Sequence, residues 1–76
     1  MITVKLYGLL RIESGIKEKH LDAGTVKEVL DALTSCGIDR KDLEGSVILV
    51  NGKAANKRSK LTDGDTVVLM SPVAGG

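Results

Sequence analysis

Thr25-Val26-Lys27-Glu28-Val29-Leu30-Asp31-Ala32-Leu33-Thr34-Ser35-Cys36-Gly37 carries the strongest periodic signal in the chain. Val26, Val29, Leu30 and Leu33 fall at i, i+3, i+4 and i+7, which gathers them on one face of an α-helix. Lys27, Asp31 and Thr34 take the polar side. Thr25 and Glu28 form a capping box, each side chain satisfying a free backbone N–H at the helix start. Gly37 supplies a left-handed residue at the other end. The spacing predicts a helix over 26–36.

Strand signals lie on both sides of it. Ile2 to Tyr7 alternates apolar and polar residues and directs Ile2, Val4 and Leu6 to a core. Gly8 breaks the pattern, and Leu9 to Gly15 reads as a connection with one helical turn around Leu10 to Glu13. Ile16 to Leu21 is mostly charged between apolar ends, as suits an edge strand. After the helix, Ile38 to Ser46 is a polar connection with Leu43 as a core plug. Val47 to Val50 is a short buried-type strand, and Asn51-Gly52 is a strong two-residue hairpin signal. Lys53 to Ala55 returns as a short strand, Asn56 to Lys60 is a basic loop, and Thr66 to Met70 is the final strand after the turn Thr62-Asp63-Gly64-Asp65. The first and last strands are expected to pair in parallel at the centre, where both need burial. The order implies an α+β, ubiquitin-like β-grasp fold: a mixed sheet of four to five strands with one main helix on one face.

Composition narrows the function. Seventy-six residues make one small domain, which buries only about 60% of its extended surface. Tyr7 is the only aromatic residue, so the core must be aliphatic. Eleven basic and ten acidic residues leave a net charge of +1, which provides no general field to attract nucleic acid or a membrane surface. One cysteine cannot form an internal disulfide, and no apolar run approaches the roughly 20 residues needed to span a bilayer. A soluble, cytoplasmic protein is expected. One histidine and one cysteine also make a self-sufficient active site a poor expectation.

The sequence closes with Pro72-Val73-Ala74-Gly75-Gly76. Glycine lacks a Cβ, so a terminal Gly-Gly makes a thin thread able to enter a narrow opening in another protein. Pro72 removes a backbone donor where the last strand should stop. The expectation is a folded domain over 1–71 and a flexible tail over 72–76 that carries a free carboxylate. A carboxylate with a reference pKa near ~3.5 is ionised at neutral pH and a poor electrophile, so it needs activation before it can react.

The stretch from Leu61 to Gly76, with its pattern L-x-D-G-D-x-V…P-V-A-G-G, resembles the ending of the MoaD/ThiS family of ubiquitin-like sulfur carriers. Ile2 to Tyr7 followed by Leu10-Arg11-x-Glu13 is similar to the opening of MoaD-type members, and Asn51-Gly52 after an apolar strand also fits. Pro72-Val73-Ala74 leans toward MoaD, the small subunit of molybdopterin synthase. Leu69, Met70 and Ser71 depart from that pattern, standing where MoaD members commonly carry aromatic residues and a second proline.

The resemblance implies that an E1-like adenylyltransferase uses ATP to adenylate Gly76. A sulfur donor then displaces AMP to leave a thiocarboxylate. The large subunit of molybdopterin synthase, or another sulfur acceptor enzyme, would receive the tail. Gly75, with Pro72, Val73 and Ala74, would provide access, and the chain would hold no catalytic residue, cofactor or metal of its own. Alternatives are a carrier for thiazole or cysteine synthesis, a ubiquitin-like modifier joined through Gly76 to lysines, and a plain interaction domain.

Docking needs a surface. Val47 to Val50 and Val67 to Met70 are apolar on both parities, although a sheet covered by one helix needs only alternate residues inward. The surplus, Val47, Leu49, Val68 and Met70, is expected on the open face as a partner-docking surface. Other tempting residues have plainer readings. Cys36 is expected near the core stripe, and His20 lacks a second ligand at metal-binding spacing. Lys53, Lys57, Arg58 and Lys60 read as a solvated face. Turn chemistry accounts for Asp63-Gly64-Asp65.

Overall fold

Alternation along β1 (Ile2–Gly8) buries Ile2, Val4 and Leu6 while Thr3 and Lys5 stay partly accessible. A computed structural model of the chain describes residues 1–71, so the expected tail over 72–76 lies outside the described residues. After β1 come α1 (Leu9–Ser14), β2 (Glu18–Leu21), α2 (Val26–Ser35), α3 (Arg40–Glu44), β3 (Val47–Val50), β4 (Lys53–Ala54) and β5 (Thr66–Ser71). The strands form a five-stranded mixed sheet in the order β2-β1-β5-β3-β4. Neighbours β1 and β5 run parallel, and the other pairs are antiparallel. With α2 packed on one face, this is the β-grasp fold.

The core is aliphatic throughout. Val26, Val29, Leu30 and Leu33 of α2 are at most 1% exposed, and they pack with the inward side chains of β1 and with Val67 and Leu69 of β5. Burying each such side chain contributes about 1.5–3 kcal/mol. Leu10, Ile38, Leu43 and Leu61 close the edges of the cluster.

The ends of α2 are held by several segments. Thr25 Oγ1 accepts from Glu28 N–H at 3.3 Å, while the Glu28 carboxylate accepts from Gly24 N–H at 3.1 Å, one residue ahead of the cap. The basic loop joins in: Ser59 and Lys57 carbonyls accept from the Val26 and Lys27 N–H groups, each at 3.0 Å. At the other end, α2 stops at Ser35, one residue earlier than predicted, with Cys36 as its cap and Gly37 at φ 98°.

Cys36 is exposed, contrary to the expectation of a place near the core. Its spacing from Leu33 continues the apolar stripe only if the helix continues, and the chain turns away first. The two connections also hold more structure than expected. Leu9 to Ser14 is a helix, and Arg40 to Glu44 is another, started by Asp39 Oδ1 accepting from Lys41 N–H at 2.9 Å. Arg40 ties α3 to α2 through Asp31 at 2.6 Å. Leu43 is fully buried, as its plug role required. The second strand starts at Glu18 rather than Ile16, because Ile16 N–H is taken by Ser14 Oγ at 3.0 Å.

Gly8 ends β1 inside the sheet, paired with Ser71, at φ 69° and ψ −143°. A Cβ there would stand 2.4 Å from the Ser71 carbonyl oxygen, while one at Gly15, also at positive φ, would meet nothing within 4 Å. Gly8→Ala is therefore expected to cost about 3 kcal/mol and Gly15→Ala about 1 kcal/mol, read as unequal drops in the urea midpoint.

The turn before β5 is locked by Asp65. Its carboxylate accepts from Thr62 N–H at 2.8 Å and from Asn51 Nδ2 at 2.9 Å, while Asn51 Oδ1 accepts from Thr66 N–H at 3.0 Å. The Thr62 N–H, then Asn51, hold the Asp65 carboxyl below its ordinary 3.8. A depressed folded value stabilises the protein above the unfolded value, and the gain is lost as pH falls through the folded one. Urea midpoints measured downward from pH 6 should therefore fall in the acid range, and Asp65→Asn should flatten part of that fall.

Candidate functional site

Register converts strand parity into a surface. On the face away from α2, Val47 of β3 lies beside Met70 of β5, which lies beside Tyr7 of β1. The next row is Ala54, Leu49, Val68 and Lys5, with Glu18 beyond on β2. Val47 is 51% exposed, Met70 42% and Tyr7 39%. Leu49 and Val68 are half-buried by their neighbours. The structure thus brings Val47, Leu49, Val68 and Met70 together at the end of the sheet where β5 finishes.

Tyr7 completes this patch, although the pattern of apolar runs did not single it out. Its signal was present in the sequence. It is the only aromatic residue, and it shares the outward parity of Thr3 and Lys5. A phenol ring beside a methionine gives a broad apolar contact with a polar edge. The opposite half of the same face changes character, with Thr3 between His20 and Thr66. The apolar area is therefore confined to the half nearest Ser71.

The remaining candidates sit elsewhere. Lys53, Lys57, Arg58 and Lys60 are exposed, and their loop is folded by its own bonds: Asn56 Oδ1 accepts from Arg58 N–H at 2.8 Å, and Ser59 Oγ from Asn56 N–H at 3.1 Å. His20 Nε2 lies 3.2 Å from Glu18 Oε2 on the exposed edge strand. Among the described residues, no group of three or more His, Cys, Asp or Glu is placed to hold a metal ion. No described helix is long and apolar enough to cross a membrane. Pro72, Val73, Ala74, Gly75 and Gly76, the residues expected to react or to give access, lie outside the described residues.

The ThiS family model matches residues 4–76. No curated protein matches the sequence. Among solved structures, the small archaeal modifier protein SAMP1 from Methanosarcina acetivorans superposes with a TM-score of 0.83 at 26% identity, covering 99% of this chain and 95% of that one. SAMP1 from Haloferax volcanii gives 0.80 at 28% identity, covering 99% and 98%. The fold is also shared with a chain of the complex of subunits 1 and 2 of the molybdopterin-converting factor from Helicobacter pylori, with a TM-score of 0.71 at 24% identity and coverage of 99% and 97%. The chain belongs to the ThiS family of ubiquitin-like sulfur carriers.

Proposed function

We propose that this chain carries sulfur as a thiocarboxylate on Gly76 and delivers it in molybdopterin synthesis, as the small subunit of the synthase. The observation that carries the reading is the apolar patch of Tyr7, Val47, Leu49, Val68 and Met70, centred on β5, the strand that leads directly into Pro72-Val73-Ala74-Gly75-Gly76. A partner seated on that patch has the reactive end within reach. Membership of the ThiS family supports the chemistry. The MoaD-like tail, and the fold shared with a chain of the Helicobacter pylori converting-factor complex, favour the pathway.

Loading proceeds in two steps on an E1-like adenylyltransferase. A carboxylate oxygen of Gly76 attacks the α-phosphorus of ATP, and pyrophosphate leaves. Hydrosulfide or an equivalent donor then attacks the acyl carbon, and AMP leaves with the C–O bond. The carrier contributes docking and reach. Gly75 and Gly76 keep the thread free of side chains at its narrowest passage. The large subunit of the synthase is the proposed acceptor.

A second reading is favoured by the SAMP1 likenesses, since those proteins are described as modifiers. In that reading the same adenylate passes to a lysine of a target protein. It predicts higher-mass conjugates on a denaturing gel that disappear when Gly76 is deleted.

Incubation with the E1-like enzyme, ATP and hydrosulfide is expected to yield one oxygen-to-sulfur exchange in the intact mass, mapped to the C-terminal fragment. Deleting Gly76 should abolish it, and an unchanged wild-type mass with a competent enzyme would refute the carrier reading. Val47→Asp or Met70→Asp is expected to weaken binding of that enzyme about tenfold or more, as loss of an apolar anchor does. Ile12→Asp, at a position 77% exposed on α1, should leave the affinity unchanged by calorimetry.

A further inference from the structure

Ser71, the last residue of β5, is only 8% exposed, and it is the one buried polar residue among those described. Its Oγ accepts a hydrogen bond from Leu10 N–H at 3.1 Å, inside the protein. Leu10 is the second residue of α1, and the cap position of that helix is Gly8, which has no side chain to offer. Ser71 therefore supplies, from the far end of the chain, the oxygen that an N-cap serine normally supplies locally. The main chain is held as well. Ser71 pairs with Gly8, whose missing Cβ lets the Ser71 carbonyl approach. Hydroxyl and backbone are thus gripped by adjacent parts of one β-to-helix junction.

We infer that Ser71 is a positioning residue for the reactive terminus: gripped at Gly8 and Leu10, it is the fixed point from which residues 72–76 extend. The inference rests on the proposed loading of Gly76. At ~3.3–3.6 Å per residue, the five residues beyond this point can span at most roughly 18 Å. Releasing Ser71 alone would add about 3.4 Å of slack. A longer tether spreads the carboxylate over a larger volume and lowers its effective concentration at the partner's active site. The loss falls after docking, because the docking patch is intact. It should therefore appear in kcat and leave KM in place.

The test is ATP–pyrophosphate exchange with the E1-like enzyme, in which labelled pyrophosphate returns to ATP by reversal of adenylate formation. The full-length chain is compared with Ser71→Ala and with Ser71→Thr, which keeps the hydroxyl acceptor. Ser71→Ala should lower kcat roughly two- to tenfold, the worth of one buried hydrogen bond, with KM held within about twofold. Ser71→Thr should restore kcat, and amide exchange at Leu10 should quicken in Ser71→Ala alone. Unchanged kcat in Ser71→Ala, a change confined to KM, or a threonine variant no better than alanine would each overturn the inference while leaving the loading of Gly76 standing. A wild-type chain giving no exchange, with an enzyme active on its own carrier, would instead remove the loading reading and this inference with it.

Discussion

Two strands from opposite ends of the chain meet side by side, and the rest of the molecule is arranged around that meeting. Ile2–Gly8 and Thr66–Ser71 pair in parallel over six consecutive positions from Thr3–Thr66 to Gly8–Ser71. Closing so long a loop costs entropy that local contacts cannot offset. Repayment comes from Ile2, Val4, Leu6, Val67 and Leu69, all nearly inaccessible to solvent and roofed by the stripe of α2. Without the pair, that stripe would have no flat apolar surface to cover. With it, the end of β5 is placed beside the end of β1.

Covering one face leaves the other uncovered, and β3 and β5 do not behave as strands with a purely solvated side. Thr66 begins β5 in polar company, whereas Val68 and Met70 are apolar on the same outward side. The core has no use for these side chains. Their rows run from β3 across β5 to Tyr7 or Lys5 of β1, forming a graded surface that becomes more apolar toward Ser71. The strand's own sequence thus sets where on this face the apolar area lies.

Much of this was legible before any coordinates. Val26, Val29, Leu30 and Leu33 named the helix face, Ile2, Val4 and Leu6 named the first strand, and Asn51-Gly52 marked the hairpin, where both residues have positive φ. Surplus valines and leucines marked the outward rows. What escaped was set by contacts distant in sequence. The helical turn read around Leu10 to Glu13 extends over Leu9–Ser14, and its cap comes from Ser71, which no local window shows. Cys36 followed the stripe by number but left it because the helix ended at Ser35. Ser71 was expected just past a last strand ending at Met70, but it is that strand's final residue, paired with Gly8.

The segment Lys57–Ser59 closes over the start of α2, where its carbonyls occupy the Val26 and Lys27 N–H groups and Thr25 takes Glu28. The open amides at a helix start are where many proteins cradle phosphate. Here the chain has filled that cradle with its own backbone. Lys57, Arg58 and Lys60 remain as exposed charge beside it. In the proposed loading of Gly76, that helix start is closed to ATP, and holding the nucleotide falls to the activating enzyme.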